Sequence, residues 1–264
     1  MTIDFIEEGA RISFGGKTLA ATVHRPRNPG TRVPAVLFCH GYMGNRIEQR
    51  YIFVRMARCL SSFGIGSLRY DYPGCGESDG LFRDQTMEQY IESAECALGY
   101  LEKQPWHENM PAGILGYSMG GSVAAHILSR HTQLKTGVLW SAVAFPHDIF
   151  FKNRPDLGED ELLASNMRSF EYGGWEIGVD FIRSLKDKSP TERLAEYPGP
   201  IMLAHGLQDT VVPPSHTEAY LGARKNDTTT ITLLLPGSGH GYKPLHEDEK
   251  LLQETARWFD KYLH

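Results

Sequence analysis

Short, continuous apolar runs alternate along the chain with longer segments in which apolar residues recur at helical spacing. The apolar runs are bounded by glycine or proline, and runs of this length are typical of strands that are buried on both faces of a parallel sheet. They lie at residues 33–40, 65–70, 112–115, 136–141, 201–205 and 229–235. Two earlier runs, 11–14 and 18–24, flank a Gly-Gly pair and predict a hairpin.

The segments with helical spacing predict amphipathic helices at 47–63, 87–104, 119–130, 215–223 and 247–263. Thr86 is placed to cap the second helix, with Gln89 at the capping-box position. Because strands and helices alternate, we expect an α/β protein with a mostly parallel sheet and helices on both faces. In such a sheet, functional residues collect at the carboxyl ends of the strands.

One segment, residues 142–199, interrupts this alternation. It is rich in aromatic residues and acids, is punctuated by glycine and proline, and includes at least one helical piece near 175–185. A structureless loop of this length is improbable inside a domain. We therefore predict a core formed by residues 1–141 and 200–264, and an inserted cap formed by residues 142–199.

Composition narrows the class of protein. The chain has 264 residues and a formal net charge of −5, and its 41% hydrophobic and 22% charged residues are ordinary for a globular protein. Lysine and arginine are scattered, which argues against a nucleic acid partner. The acidic start does not resemble a signal peptide, and no apolar stretch is long enough for a membrane span. The four cysteines form no C-x-x-C pair, so we expect reduced thiols in a cytoplasmic protein.

The pattern G-x-S-x-G, which holds a nucleophilic serine on a sharp turn between a strand and a helix, occurs twice: GESDG around Ser78 and GYSMG around Ser118. GYSMG follows an apolar run directly and leads into a helical segment of small residues, whereas GESDG is followed by a polar loop. Glu77 and Asp79 also surround Ser78 with negative charge, the wrong sign for stabilising an oxyanion. We therefore expect Ser118 to be the nucleophile and Ser78 to lie in a glycine-rich turn.

A nucleophilic serine needs a general base and an acid that orients the base, and in this kind of sheet they follow in the order Ser, Asp or Glu, His. His240 follows a predicted strand in a glycine-rich loop, and Asp209 lies in a short turn directly after another. Competing acids are Asp180 and Asp187, which lie in the inserted segment, and Asp227, which lies in a turn before a strand. Their positions favour Asp209 as the acid and His240 as the base.

An oxyanion hole requires two backbone N–H groups, one of them from the residue after the nucleophile. Met119 supplies that group, and the loop HGYMG, residues 40–44, is expected to supply the second through Tyr42. His40 and His205 each end a strand before a glycine, so we expect them to hydrogen-bond to loop backbone.

Taken in order, HGYMGN, DYPGCGESDG, GYSMGG, HGLQDTVVP and GSGHG resemble the α/β-hydrolase superfamily. The resemblance runs from about residue 18 to the end of the chain and is weakest in the inserted segment. Within the superfamily the chain is similar to small bacterial carboxylesterases of the cinnamoyl or feruloyl type, and more loosely to monoacylglycerol lipases and serine aminopeptidase-like hydrolases. The resemblance implies an eight-stranded sheet, a cap over the site, no metal and no cofactor, and a bordering loop at GESDG.

These observations predict a serine hydrolase that cleaves small, partly apolar or aryl carboxylic esters through an acyl-enzyme. The alternatives are hydrolysis of amides, peptides or thioesters by the same residues, and, from another class, a non-catalytic binding protein of this fold. No His, Cys or Asp cluster has metal-ligand spacing. Part of the aromatic set of the inserted segment is expected to line an acyl or aryl pocket: Phe145, Phe150, Phe151, Phe170, Tyr172, Trp175 and Phe181.

Overall fold

The computed structural model describes residues 5–27, 32–152, 158–186, 188–225 and 227–264, which contain ten strands and nine α-helices. The strands are β1 (Phe5–Phe14), β2 (Lys17–Pro26), β3 (Ala35–Cys39), β4 (Gly66–Tyr70), β5 (Ala112–Tyr117), β6 (Thr136–Trp140), β7 (Ser169–Tyr172), β8 (Trp175–Gly178), β9 (Ile201–Gly206) and β10 (Thr230–Leu235). The helices are α1 (Ile52–Ser62), α2 (Met87–Glu102), α3 (Met119–Arg130), α4 (Pro146–Lys152), α5 (Glu159–Ala164), α6 (Val179–Leu185), α7 (Pro190–Glu196), α8 (Ser215–Ala223) and α9 (Leu245–Leu263).

Eight of the described strands form one sheet in the order β1-β2-β4-β3-β5-β6-β9-β10. Strand β2 is antiparallel to both of its neighbours, and every pair from β4 to β10 is parallel. The predicted hairpin joins β1 to β2 through Gly15 and Gly16, whose φ angles of 53° and 79° suit a two-residue turn. The predicted eight-stranded, mostly parallel sheet is confirmed.

The central strands are buried on both faces, which explains their continuous apolar runs. In β3, Leu37 enters a buried cluster with residues of α2 and α3, while Phe38 enters a second cluster with residues of α1 and α9. The ring of Phe38 meets Phe53 of α1 edge to face, with centroids 5.0 Å apart. Since alternate residues of a strand point to opposite faces, helices on both faces leave no position in the strand for a polar side chain.

Helix α1 begins at Ile52, five residues later than the pattern predicts. Glu48, Arg50 and Tyr51 have φ angles of 61°, 53° and 57°, which an α-helix does not accept. The guanidinium group of Arg50 donates to Tyr242 O at 2.7 Å, so this side chain binds a distant loop. The chain before α1 is therefore an irregular connection with a short 3-10 helix at Gln49–Tyr51, and Arg50 ties it to a distant loop.

Helix α2 begins where predicted, and the N–H of Gln89 donates to Thr86 Oγ1 at 3.2 Å. The side chain of Gln89 does not return the bond, because its buried Oε1 has no partner among the described residues. Half of the capping box is therefore formed. No helix in the described part of the chain is at once long and apolar enough to cross a bilayer.

The described residues between β6 and β9 form four short helices, α4 to α7, and a separate two-stranded sheet of β7 and β8. The predicted helical piece at 175–185 is wrong over its first four residues, which form β8. Gly173 and Gly174, with φ angles of 54° and 83°, close a hairpin before them. Helix α7 packs against α3 and α8. The division into a core and a cap at residues 142 and 199 stays a prediction.

Candidate active site

Ser118 lies in the turn between β5 and α3 with a φ angle of 56° and a ψ angle of −119°. A positive φ at a residue with a Cβ costs about 1–3 kcal/mol and persists only where surrounding contacts enforce it. Here the N–H of Ser118 donates to Trp140 O at 2.9 Å, and its carbonyl accepts from the N–H groups of Gly121 and Val143, both at 3.0 Å. The turn therefore holds the serine hydroxyl beyond the end of β5.

The glycines on either side of Ser118 permit a close approach of backbones. A Cβ on Gly120 would clash with the carbonyl oxygens of Cys39 and His40, and a Cβ on Gly116 would clash with Gly120 O. Neither glycine has a positive φ. Helix α3 can therefore begin directly against the end of β3 because these two positions lack side chains.

The imidazole of His240, in the loop after β10, lies between an acid and the serine. Its Nδ1 lies 2.7 Å from Asp209 Oδ2, and its Nε2 lies 3.1 Å from Ser118 Oγ. Tyr117 stacks on the imidazole with ring centroids 5.1 Å apart and donates its hydroxyl to His240 O at 2.8 Å. Because Nδ1 faces a carboxylate it carries the proton, which leaves Nε2 to accept from the hydroxyl.

Asp209 is buried in the turn after β9, where Oδ1 accepts the N–H groups of Val211 and Val212 at 3.0 and 2.8 Å. Burial alone would raise the pKa of Asp209, but hydrogen bonds from His205 and His240 outweigh it, and the pKa lies well below its usual range. The carboxylate is therefore ionised at neutral pH. Its negative charge lies beside the nitrogen that would share an imidazolium charge.

His40 and His205 hydrogen-bond to loop backbone, as the sequence predicted. His40 Nδ1 donates to Gly41 O at 2.8 Å and Nε2 accepts from Tyr72 N at 3.1 Å, while His205 Nε2 donates to Val212 O at 2.8 Å. Burial lowers the pKa of His40 to about 4, which keeps its ring neutral. The two histidines thus fix the backbone of loops that surround the site.

The two predicted oxyanion donors lie in one pocket with the serine, since Tyr42, Met119 and Ser118 all contribute to its wall. Neither backbone N–H, of Tyr42 or of Met119, donates to an acceptor in the described residues. A Cβ on Gly41, the residue before Tyr42, would lie 3.3 Å from Ser118 Cβ. The residues that line this pocket with Ser118 therefore include two whose backbone N–H groups have no acceptor in the described part of the chain.

The other serine of the repeated pattern has a different environment. Ser78 Oγ donates to Asp71 O at 2.7 Å and accepts from Ala20 N at 2.9 Å, and Asp79 Oδ2 accepts from Thr18 N at 2.8 Å. These bonds tie the GESDG loop to strand β2. Ser78 therefore has a structural role, and no histidine contacts it in the described residues.

The structure also places the competing acids. Asp180 is exposed and pairs with Arg183 at 2.9 Å, and Asp227 accepts from the guanidinium group of Arg224. Asp187 lies outside the described residues. Neither described competitor contacts His240.

An apolar pocket of about 270 Å³ opens beside Ser118 and His240. Three aromatic residues of the inserted segment contribute to its wall: Phe150 of α4, Tyr172 of β7 and Phe181 of α6. The rest of the wall is formed by Tyr42, Met43, Met119, Val143, Pro146, Ile149, Val211 and Val212. Four of the predicted aromatics do not line it: Phe145, Phe151, Phe170 and Trp175.

Glu48, which belongs to none of the sequence motifs, lies close to the site. Its Oε1 accepts the N–H of Gly41 at 2.7 Å, and burial raises the pKa of Glu48 to about 7. The signal that could have found it is the polar stretch NRIEQR after HGYMG, since a polar run beside a strand end needs partners. In the sequence, Tyr117, which supports His240, stands out only as part of the G-x-S-x-G pattern.

The strand order and the turn that carries Ser118 define an α/β hydrolase, and the resemblance stated from the sequence is confirmed. More narrowly, the chain belongs to the prolyl oligopeptidase family, which it matches over residues 59–264.

The structure is similar to that of Est1E from Butyrivibrio proteoclasticus with bound ferulic acid, with a TM-score of 0.83 and 22% identity over 96% of this chain and 98% of that chain. In sequence, the mitochondrial palmitoyl-protein thioesterase ABHD10 of Homo sapiens is 22% identical over 258 residues, which cover 93% of this chain and 81% of that protein. Dipeptidyl-peptidase 5 of Porphyromonas gingivalis is 23% identical over 267 residues, which cover 96% of this chain and 37% of that protein. Membership of this family makes the chain a hydrolase.

Proposed function

We propose that the protein is a serine carboxylesterase, with Ser118 as nucleophile, His240 as general base and Asp209 as the acid that orients the imidazole. The observation that supports this assignment is the chain of hydrogen bonds from Asp209 through His240 to Ser118, at 2.7 and 3.1 Å. A nucleophile, a base in contact with it and an orienting acid are the three roles that acyl transfer requires.

In this mechanism Ser118 Oγ attacks the ester carbonyl carbon while His240 Nε2 takes the hydroxyl proton. The N–H groups of Tyr42 and Met119 bind the oxyanion of the tetrahedral intermediate, and the N-terminus of α3 adds a favourable dipole. The imidazolium gives its proton to the leaving alkoxide, which departs as an alcohol and leaves an acyl-serine. Water then adds by the same route, and the carboxylic acid is released. The ionised Asp209 stabilises the imidazolium in both halves.

The apolar pocket is assigned to the acyl group. Its wall of aromatic and aliphatic side chains and its volume of about 270 Å³ suit the burial of a short acyl chain or a single aromatic ring. Phe150, Tyr172 and Phe181 contribute aromatic rings to this wall, together with Tyr42. The proposed substrate is therefore a small ester with an apolar or aryl acyl group.

A second candidate is thioester hydrolysis by the same residues. The relative described as a palmitoyl-protein thioesterase aligns with 93% of this chain, and attack on a thioester requires the same nucleophile and oxyanion donors. Peptide cleavage has less support, because the dipeptidyl-peptidase relative is matched over 37% of its length. The three reactions differ in the leaving group.

The test has two steps. The purified protein is first labelled with a fluorophosphonate, and the adduct is mapped by mass spectrometry. We expect one adduct, on Ser118, and none on Ser78. The rates of p-nitrophenyl butyrate, methyl ferulate, a butyryl thioester and a peptide p-nitroanilide are then compared as kcat/KM, with the esters expected to be fastest. A protein that does not react with the phosphonate would instead be a binding protein, and a fastest thioester would select the second candidate.

A further inference from the structure

A second pocket, of about 350 Å³, adjoins the nucleophile. It shares four residues with the apolar pocket, all at the reaction centre: Tyr42, Met43, Ser118 and His240. Beyond these, its wall includes the polar side chains of Asn45, Glu48, Gln49 and Tyr117. The two pockets thus meet at Ser118 and differ in the chemistry of their walls. We call the second one the Glu48 pocket.

A tetrahedral intermediate on Ser118 carries two groups besides the serine oxygen and the oxyanion, and each needs a pocket. The water that hydrolyses the acyl-enzyme takes the place of the departed leaving group, since both exchange a proton with His240 Nε2. A wall of polar groups holds water more readily than a wall of phenylalanine and isoleucine. The Glu48 pocket is therefore the leaving-group side, and the apolar pocket is the acyl side.

The carboxylate of Glu48 is held rigidly in this pocket. Its Oε1 accepts from Gly41 N at 2.7 Å, and Oε2 is 3.4 Å from Gln49 N, a long contact that leaves acceptor capacity on that oxygen. The backbone of Glu48 has a φ angle of 61°. A Cβ on Gly44 would lie 2.6 Å from Oε1, so the close approach of the carboxylate requires a glycine there.

Glu48 also lies close to the reaction centre. A Cβ on Gly41 would lie 3.3 Å from Ser118 Cβ and 3.4 Å from Glu48 Oε1, so both side chains pack against the same glycine. The nearby cations are paired elsewhere: Arg46 binds Asp71, and Arg50 lies 3.3 Å from Asp248. Burial raises the pKa of Glu48 to about 7, as expected of a carboxylate without a cationic partner.

We propose that Glu48 selects a leaving group that carries an O–H or N–H donor, such as a hydroxyalkyl ester, and binds that donor through its carboxylate. An apolar leaving group of equal size would displace water from the carboxylate and return no hydrogen bond, which is unfavourable. This inference rests on the proposed function, because it concerns the leaving group of that reaction.

The test uses acyl transfer. The acyl-enzyme is formed from p-nitrophenyl butyrate, and ethylene glycol and 1-propanol, which have nearly equal size, compete for it at equal concentration near pH 8, where Glu48 is ionised. The alcohol oxygen bonds to the carbonyl carbon, its proton passes to His240 Nε2 and on to Ser118 Oγ, and the bond from the acyl carbon to the serine oxygen breaks. The readout is the ratio of hydroxyethyl butyrate to propyl butyrate.

We expect the wild-type protein to favour the glycol about tenfold, the effect of one hydrogen bond to a charged acceptor. In Glu48→Gln the product ratio is expected to fall close to the value set by the number of hydroxyl groups alone, two in the glycol and one in 1-propanol. Since the product ratio is set within active molecules, it does not depend on how much of the variant folds. The control Phe150→Leu, on the acyl side, should change the preference among acyl chain lengths and leave the alcohol ratio as it is.

The same preference is expected in hydrolysis, as a higher kcat/KM for 2-hydroxyethyl butyrate than for propyl butyrate. Equal ratios in the wild-type protein and Glu48→Gln, in both assays, would overturn the inference and leave the proposed function intact. If neither transfer product forms and Ser118 also gives no phosphonate adduct, the proposed function is overturned, and the inference falls with it.

Discussion

In the stretch around Ser118 the serine itself has the positive φ, 56°, whereas in the stretch around Ser78 the glycines have it, with 51° at Gly76 and 115° at Gly80. The glycines beside Ser118 are needed because backbones approach them closely. The same five-residue spacing therefore meets two different steric requirements. Both G-x-S-x-G stretches form sharp turns, but only the turn at Ser118 projects the serine hydroxyl.

The polar surroundings of the two serines differ as well. Ser118 Oγ lies 3.1 Å from an imidazole nitrogen of His240, whose other nitrogen faces the ionised Asp209. Ser78 Oγ instead forms hydrogen bonds with two backbone groups, Asp71 O and Ala20 N. Glu77, beside Ser78, pairs with Arg46. The comparison shows that the residues brought to the serine by the fold, rather than the pattern around it, separate a candidate nucleophile from a structural serine.

The largest expected effect concerns the nucleophile. Ser118→Ala is expected to lower kcat for p-nitrophenyl butyrate by at least about 10³-fold, because the acyl-enzyme cannot form. Ser78→Ala is the matched control and is expected to keep kcat within a few-fold. Steady-state kinetics on both purified variants measures the difference. Similar losses in the two variants would remove the distinction between the two stretches.

The next effect concerns the acid that Ser78 lacks. Asp209→Asn is expected to lower kcat by about 10³- to 10⁴-fold, because a neutral amide neither stabilises the imidazolium nor enforces the same tautomer. The control Asp227→Asn removes a carboxylate that contacts Arg224 and Thr229 instead, and it should retain kcat. A wild-type turnover in Asp209→Asn would show that His240 works without an acid.

Two glutamates near the two stretches are expected to affect stability in opposite directions with pH. Burial raises the pKa of Glu48 from 4.5 to about 7, so the folded protein holds a proton that the unfolded chain loses, and the contribution to stability falls as pH rises through this window. A hydrogen bond from Arg46 lowers the pKa of Glu77, so its contribution is lost as pH falls.

Urea unfolding near pH 5 and pH 8 checks these signs. Relative to Glu48→Gln, the wild-type protein is expected to lose on the order of 1–2 kcal/mol between the two conditions. Tyr117 and Cys75, which face Glu48, have pKa values raised well above this range and do not contribute. For Glu77→Gln the comparison is made between about pH 3 and pH 5, around and below the ordinary glutamate pKa, where the contribution of Glu77 is lost as pH falls. A common sign for the two glutamates, each in its own pH window, would contradict the assignment.

The smallest expected effect is structural. Ser78→Ala removes two hydrogen bonds that join the GESDG loop to Asp71 O and Ala20 N. We expect a loss of about 1 kcal/mol in the free energy of unfolding, measured in urea, since the site is partly buried. If Ser78→Ala unfolds like the wild-type protein but turns over slowly, the serine takes part in the reaction and the comparison fails.

Most of the sheet could be predicted because its strands are buried on both faces, which makes each one a continuous apolar run. The start of α1 could not, because Arg50 binds a distant loop and Glu48 binds the N–H of Gly41, and local helix propensity contains neither contact. The sequence predicts helix over β8 because its four residues adjoin α6 without a break, and only the pairing of β8 with β7 distinguishes the two elements.

The sequence by itself predicted the alternation of the sheet strands with the longer helices, and it supplied Ser118, Asp209 and His240 as candidates, since these follow from local patterns and from the order along the chain. The tertiary structure alone decided that His240 contacts residues 122 and 31 positions away, at 3.1 and 2.7 Å. It also decided which aromatic residues line the apolar pocket and that Glu48 lies in the polar one. Such contacts depend on how residues that are distant in the chain pack together, and local spacing carries no information about that packing.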